Sequence, residues 1–219
     1  MALDLGLGDK EEFAALVMRL RAEGISNASL FNAIEQVPRS LFIPPAFVRD
    51  AWSRHTIPIE CGAFAEGVDL AAKIVHLMNL HPDHRVLEIG TGSGYTASLM
   101  GKLCQRVLTV DRYRTLVENA HGRFGKIGGG NIFSRQADGM NGLPGEGTFD
   151  RILVTAAFTS MPRIFAEQVV PGGEMLAPML LEDGRCMMIR FVKVGVRFER
   201  TELFEAPYLP LEPHMANAL

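Results

Sequence analysis

Hydrophobic positions along this chain change their period partway through. Over roughly the first third they recur at helical spacing: Phe13, Leu16, Val17 and Leu20 fall on one face with Gly24 ending the run, and Leu30, Ile34 and Val37 form a second stripe. Asp9, with Glu12 three residues later, reads as the cap of the first helix. The second runs from about Asn27 to Gln36. Pro38, Pro44 and Pro45 then break the pattern around Leu41-Phe42-Ile43, a short buried or extended piece. Ile57-Pro58-Ile59 is extended, and His55 to Val68 shows no regular period. Asp69 reads as the cap of a helix from Leu70 to about Leu80, with Leu70, Ile74, Leu77 and Met78 facing inward.

From Arg85 onward short apolar runs alternate with helical stretches. Strands are predicted over Arg85–Ile89, Arg106–Val110, Asn131–Ser134, Phe149–Thr155 and Glu174–Pro178, with helices from Tyr95 to about Leu103, Leu116 to Phe124 and Met161 to Gln168. Pro171-Gly172-Gly173 reads as a turn, and Arg185–Val192 with Val196–Thr201 as an antiparallel hairpin. This alternation predicts an α/β fold, a doubly wound and mainly parallel Rossmann-like sheet with an antiparallel edge. Residues 1–80 form an N-terminal helical extension with an irregular loop, and residues 81–219 the α/β unit, the two expected to pack as one body.

Composition narrows the class. Hydrophobic residues make up 47% and charged residues 21%, and the formal net charge is -3. This is a soluble globular composition that gives no support to a nucleic-acid partner. No apolar run reaches the length that spans a bilayer, so no membrane partner is expected. The chain opens with acids rather than a basic segment, so no secretory signal is expected either. Cys61, Cys104 and Cys186 are widely spaced without a C-x-x-C pair, which argues against a disulfide framework or zinc site and for thiols in a reducing cytoplasm.

Candidate chemistry centres on Val86-Leu87-Glu88-Ile89-Gly90-Thr91-Gly92-Ser93-Gly94-Tyr95, a buried strand, a turn with alternate glycines and a helix start. Such a turn cradles a nucleotide-like cofactor at the carboxyl end of a parallel strand. A dinucleotide motif would read G-x-G-x-x-G, but here Tyr95 stands in the place of the third glycine. Asp111 lies about 20 residues beyond Gly90, where a carboxylate accepts from ribose hydroxyls. Ala137-Asp138-Gly139 follows the third strand, where a carboxylate meets an adenine amino group. A capping role would account for either acid alone. Together with the turn they outline a cofactor site of Glu88, Gly90, Thr91, Gly92, Ser93, Gly94, Asp111, Asp138 and Gly139.

At this point the sequence resembles the protein-L-isoaspartate O-methyltransferase family. The likeness lies in the glycine motif, in Ile34-Glu35-Gln36-Val37-Pro38-Arg39 with Phe42-Ile43-Pro44-Pro45, and in Phe149 to Ala157 with Pro171-Gly172-Gly173. Tyr208-Leu209-Pro210-Leu211 is similar to that family's closing strand. The resemblance implies a class I S-adenosylmethionine-dependent methyltransferase that methylates isoaspartyl carboxylates in damaged proteins, with a protein or peptide substrate and a monomeric state. It also implies that the turn carries the methionine part of the cofactor, Asp111 the ribose and Asp138 the adenine.

One loop departs from the family. Its pattern there is glycine, glutamine, threonine, isoleucine, serine; from Gly62 this chain reads Ala63, Phe64, Ala65, Glu66. The hydroxyls that would hold a substrate carboxylate are missing. An ionised Glu66 cannot donate to a carboxylate, and two carboxylates about 4 Å apart repel by roughly 4 kcal/mol at an effective dielectric of about 20. Glu66 is therefore the candidate catalytic residue with three readings: a protonated donor, a base or anchor for another nucleophile, or a side chain turned to solvent. Ile59, Ala63, Phe64 and Thr155 are the candidate substrate contacts. The alternatives are a methyltransferase of the same fold with another acceptor, or a cofactor-binding module without catalysis. An NAD-dependent oxidoreductase is disfavoured by the missing third glycine.

Overall fold

Near-continuous apolar runs form the centre of the sheet. The structure, a computed structural model, describes residues 7–216; the first six residues, Asp4 among them, on which the expectation about a secretory signal partly rests, lie outside the described residues. Chain order gives α1 (Leu7–Ala22), α2 (Ala28–Gln36), β1 (Ile57–Pro58), β2 (Phe64–Ala65), α3 (Val68–Leu77), β3 (Arg85–Ile89), α4 (Tyr95–Gly101), β4 (Arg106–Asp111), α5 (Arg114–Lys126), β5 (Ile132–Gln136), β6 (Phe149–Val154), α6 (Ile164–Gln168), β7 (Val169–Leu180), β8 (Cys186–Val194) and β9 (Arg197–Glu205). Seven strands form one sheet in the order β5-β4-β3-β6-β7-β8-β9. β3 to β7 run parallel, while β8 and β9 add the antiparallel edge. Chain order reverses beside β3, which has β4 on one side and β6 on the other. This is the switch point at which α/β sheets bind ligands beyond their strand ends.

Strand alternation divides the core in two. Val86 and Val107 pack against Leu16, Ile34, Ile74 and Leu99 on one face, whereas Leu87, Ile89, Leu108 and Val110 meet Phe149, Phe165 and Met175 on the other. The helical extension thus shares its core with the first face of the sheet. Glu88 lies on the Val86 side, beneath α4.

Several expectations change in detail. Asp9 sits inside the first turn of α1 rather than capping it, and its carboxylate accepts from Trp52 Nε1 at 2.8 Å. Asp69 is likewise inside α3, whose cap is Gly67; the fork of Arg19 holds it at 2.8 and 2.9 Å. An ion pair thereby replaces the cap. Arg39–Phe42 is a 3-10 turn. Pro171-Gly172-Gly173 is not a turn between elements but part of β7, where the register against β6 shifts and Gly172 takes φ +73. Tyr208-Leu209-Pro210-Leu211 forms no strand; it makes a single bridge from Pro210 to Ala157. No helix among the described residues is long and apolar enough to cross a membrane.

Candidate active site

Beyond Ile89 the chain must turn sharply while staying close to two neighbouring strands. Gly90 N–H donates to Val110 O (2.8 Å), Gly94 N–H to Thr91 O (2.8 Å), and Gly90 and Gly92 hold φ of +98° and +51°. A Cβ at Gly90 would overlap Thr155 Oγ1, and the Thr155 hydroxyl braces the turn by donating to Gly90 O at 2.9 Å. A Cβ at Gly92 would meet only Ile59 Cδ1, 3.8 Å away, and would otherwise project into a cavity. That cavity, about 370 Å³, is walled by the turn on one side and by Cys61–Phe64 and Glu66 on the other.

Glu88 does not line it. The carboxylate is fully buried under the turn, where one oxygen accepts from Thr96 Oγ1 and the other from Thr109 Oγ1 at 2.6 Å. Thr109 and Thr91 hydroxyls lie 2.7 Å apart, so a chain of hydroxyls ties β3, β4, the turn and α4 together. Burial pushes Glu88 up to about 8; the two threonine hydroxyls oppose the shift, and the charges of Glu66 and Asp111 add to it. Strand alternation explains the placement: Glu88 faces α4, whereas the cavity opens past the strand end. Its contribution is support for the turn.

The acid that ends β4 and the acid that follows β5 part ways. Asp111 lines the cavity, with Oδ2 accepting from Gly92 N–H (3.0 Å) and Oδ1 from Tyr113 N–H (3.1 Å). Burial raises its pKa, opposed by those backbone donors. Its remaining lone pairs suit hydroxyl donors. Asp138 stays outside the cavity wall. It caps a 3-10 turn, accepting from Met140 N–H (2.9 Å) and Asn141 Nδ2 (3.0 Å), while its neighbours Ala137 and Gly139 line the cavity. Asp138 thus serves as a local cap between two residues of the cavity wall.

Opposite the turn, β1 and β2 pair as a small hairpin with Ile57 against Ala65. Glu60 anchors it to α5 by accepting from Asn119 Nδ2 (3.2 Å), and Arg123 of the same helix donates to Ser93 O at 3.1 Å. One helix therefore holds both cavity walls. Glu66 is not turned to solvent: it lines the cavity, and its Oε1 accepts from the Tyr208 hydroxyl at 3.0 Å. Burial, then the charge of Glu66, raises the Tyr208 phenol well above its ordinary value, keeping it a donor. Behind the hairpin the fully buried Arg39 donates to the Glu66 carbonyl, and its guanidinium lies 4.3 Å from the centroid of the Tyr95 ring. Burial lowers its pKa, opposed by Tyr95 and Glu66.

The cavity brings together Gly90, Thr91, Gly92, Ser93, Asp111, Gly139, Ala63, Phe64, Glu66 and Thr155 from the expected set. Gly94 instead packs against Phe124 and Ala120, and Ile59 is not part of the cavity wall, although its Cδ1 lies 3.8 Å from where a Cβ on Gly92 would sit. Tyr208 and Arg39 stand in the family-like segments, but nothing in their local spacing marks them as partners of Glu66. Arg112, paired with Glu212 at the cavity rim, carried no signal either. The residues present fit S-adenosylmethionine: the volume suits a small ligand, Gly92 leaves open space, Asp111 presents acceptors, and Val110, Leu116 and Leu211 add an apolar slot beside Ala137 and Gly139.

Known proteins resemble this chain in sequence and in fold. The family model for protein-L-isoaspartate(D-aspartate) O-methyltransferase matches residues 11–215. A protein-L-isoaspartate O-methyltransferase of Rhizobium meliloti is 50% identical over 204 residues, covering 93% of this chain and 100% of that protein. One from Azorhizobium caulinodans is 38% identical over 211 residues, 96% of this chain and 97% of its own length. A Plasmodium falciparum structure in complex with S-adenosyl-L-homocysteine superposes with a TM-score of 0.79 at 21% identity, over 90% of this chain and 97% of that one. A second solved structure, a protein-L-isoaspartate O-methyltransferase, gives 0.81 at 23% identity, over 94% of this chain and 67% of that one. At these identities the structures share the fold.

Proposed function

This chain belongs to the protein-L-isoaspartate O-methyltransferase family, and from that premise we infer that it transfers the methyl group of S-adenosylmethionine to isoaspartyl carboxylates in proteins. The observation that carries the reading is the cavity shared by the glycine turn and the hairpin opposite it. Bound in such a cavity, S-adenosylmethionine supplies an electrophilic methyl group on a sulfonium. Gly90, Thr91, Gly92 and Ser93 are the residues that would hold its amino-acid end, Asp111 its ribose hydroxyls, and Ala137, Gly139 and Leu211 its base.

In a methyl displacement the protein's share is alignment and exclusion of water. An acceptor carboxylate is already ionised at neutral pH, so no side chain is assigned as general base. Phe64 and Ala63 give the acceptor wall an apolar surface, and the Thr155 brace keeps the opposite wall fixed. Membership of the family favours an isoaspartyl acceptor over another nucleophile or a silent binding module. A monomer, as the family resemblance implies, and a reducing cytoplasm, to which the three free cysteines are suited, are part of the same reading.

Incubation with labelled S-adenosylmethionine and an isoaspartyl peptide tests the assignment, with a base-labile methyl ester on the peptide as the expected product. A chain that binds the cofactor but forms no ester would refute it.

A further inference from the structure

Three side-chain carboxylates line the cavity, those of Glu66, Asp111 and Glu212. Two are compensated: Asp111 by the N–H groups of Gly92 and Tyr113, Glu212 by Arg112. Glu66 has only the neutral hydroxyl of Tyr208 at 3.0 Å and forms no ion pair among the described residues. The nearest buried cation, Arg39, stands behind the hairpin; its donor goes to the Glu66 backbone carbonyl and its guanidinium stacks on Tyr95. A carboxylate partly withdrawn from water with one neutral donor gains more from a cationic ligand than a fully solvated or ion-paired carboxylate would.

S-Adenosylmethionine and its spent form, S-adenosylhomocysteine, share an ammonium, a carboxylate, a ribose and a base. They differ by the sulfonium methyl group and the one formal charge that comes with it. We propose that Glu66 is a specificity-determining residue whose carboxylate makes this cavity prefer the sulfonium form over the neutral thioether. The inference rests on the cavity being the cofactor site. It gives Glu66 a role that needs neither a proton on the carboxylate nor a different nucleophile. Tyr208 keeps the carboxylate at the cavity wall without neutralising it.

Calorimetry on the wild type, Glu66→Gln and Glu66→Asp, each with S-adenosylmethionine and with S-adenosylhomocysteine at one pH and salt concentration, tests this. Glu66→Gln keeps an acceptor for Tyr208 and removes the charge. It is expected to weaken S-adenosylmethionine about tenfold or more, the scale of one unit-charge pair in a partly buried site, and S-adenosylhomocysteine less than about twofold. Glu66→Asp, which keeps the charge, retains a preference within about threefold of the wild type. Equal losses for the two ligands in Glu66→Gln, or no loss, overturn the inference and leave the cofactor reading standing. Binding of neither ligand by the wild type overturns both. Should Glu66→Gln not fold, an analogue with a protonated amine in place of the sulfonium gives a reading on the wild type alone. It binds more tightly than S-adenosylhomocysteine, and equal or weaker binding overturns the inference.

Discussion

Replacing Glu88 by glutamine isolates a large pH-dependent term in the stability of this fold. The carboxylate is fully buried beneath the glycine turn, between Thr96 and Thr109, and its pKa is pushed from 4.5 to about 8, chiefly by burial. A raised folded pKa means that the folded chain holds this proton more tightly than the unfolded chain. Below pH 4.5 both states are protonated and the group costs nothing. Between 4.5 and about 8 unfolding releases the proton, so stability falls by roughly 1.4 kcal/mol per pH unit. Above about 8 both states are ionised and the loss levels off. From pH 5 to pH 8 the decline is about 4 kcal/mol, a large share of an ordinary domain's stability of about 5–15 kcal/mol. The carboxamide of Glu88→Gln would still meet both threonine hydroxyls, accepting at one end and donating at the other, but it cannot titrate. Urea unfolding of the two proteins at pH 5, 6.5 and 8 without ligand cancels the other titrating groups in the difference. Glu88→Gln should gain about 4 kcal/mol relative to the wild type between the two extremes, with most of the change complete by pH 8. A difference that stays flat within about 0.5 kcal/mol would show that the buried carboxylate is not held neutral, and the account of the turn's support would be wrong.

Other perturbations read the two cavity walls. Gly90→Ala places a methyl against the Thr155 hydroxyl at a φ of +98°, so cofactor affinity measured by calorimetry should fall at least about tenfold even where the chain still folds. Asp111→Asn keeps one acceptor but sets its amide group against the N–H of Gly92 or Tyr113 and presents donors to the expected ribose hydroxyls; affinity for S-adenosylhomocysteine should drop about tenfold, a loss of roughly 1.4 kcal/mol, and the melting temperature should fall with the lost backbone hydrogen bond. The pair Phe64→Thr and Glu66→Ser removes a carboxylate that repels an anionic acceptor and restores hydroxyl donors. Isoaspartyl methylation at saturating cofactor should rise, and a fall in rate on a folded variant would count against the repulsion argument.

The sheet was largely legible because buried parallel strands leave continuous apolar runs; β3 and the start of α4 lie where the period and the glycines put them. Boundaries slipped where a side chain found a partner remote in sequence. Asp9 and Asp69 have the local appearance of caps, yet each is bound by a residue at least 43 positions away in sequence, Trp52 and Arg19 respectively. Pro171-Gly172-Gly173 has turn chemistry but is absorbed as an irregularity in a strand held on both sides. At the site, the spacing put the turn and Asp111 at neighbouring strand ends, and both line the cavity there. Glu88 belongs to the motif's sequence but not to the cavity wall, since strand alternation turns it toward α4, and Asp138 is engaged as a local cap between two cavity-wall residues. The contact between Glu66 and Tyr208 spans 142 residues, and no local pattern encodes it.

Methyl transfer to a matched pair of peptides, identical except that one carries isoaspartate and the other aspartate at the same position, tests the central claim most directly. The account predicts a base-labile methyl ester on the isoaspartyl peptide, formed with stoichiometric S-adenosylhomocysteine, and little or none on its aspartyl isomer. Equal labelling of both peptides, or cofactor binding with neither labelled, would contradict it.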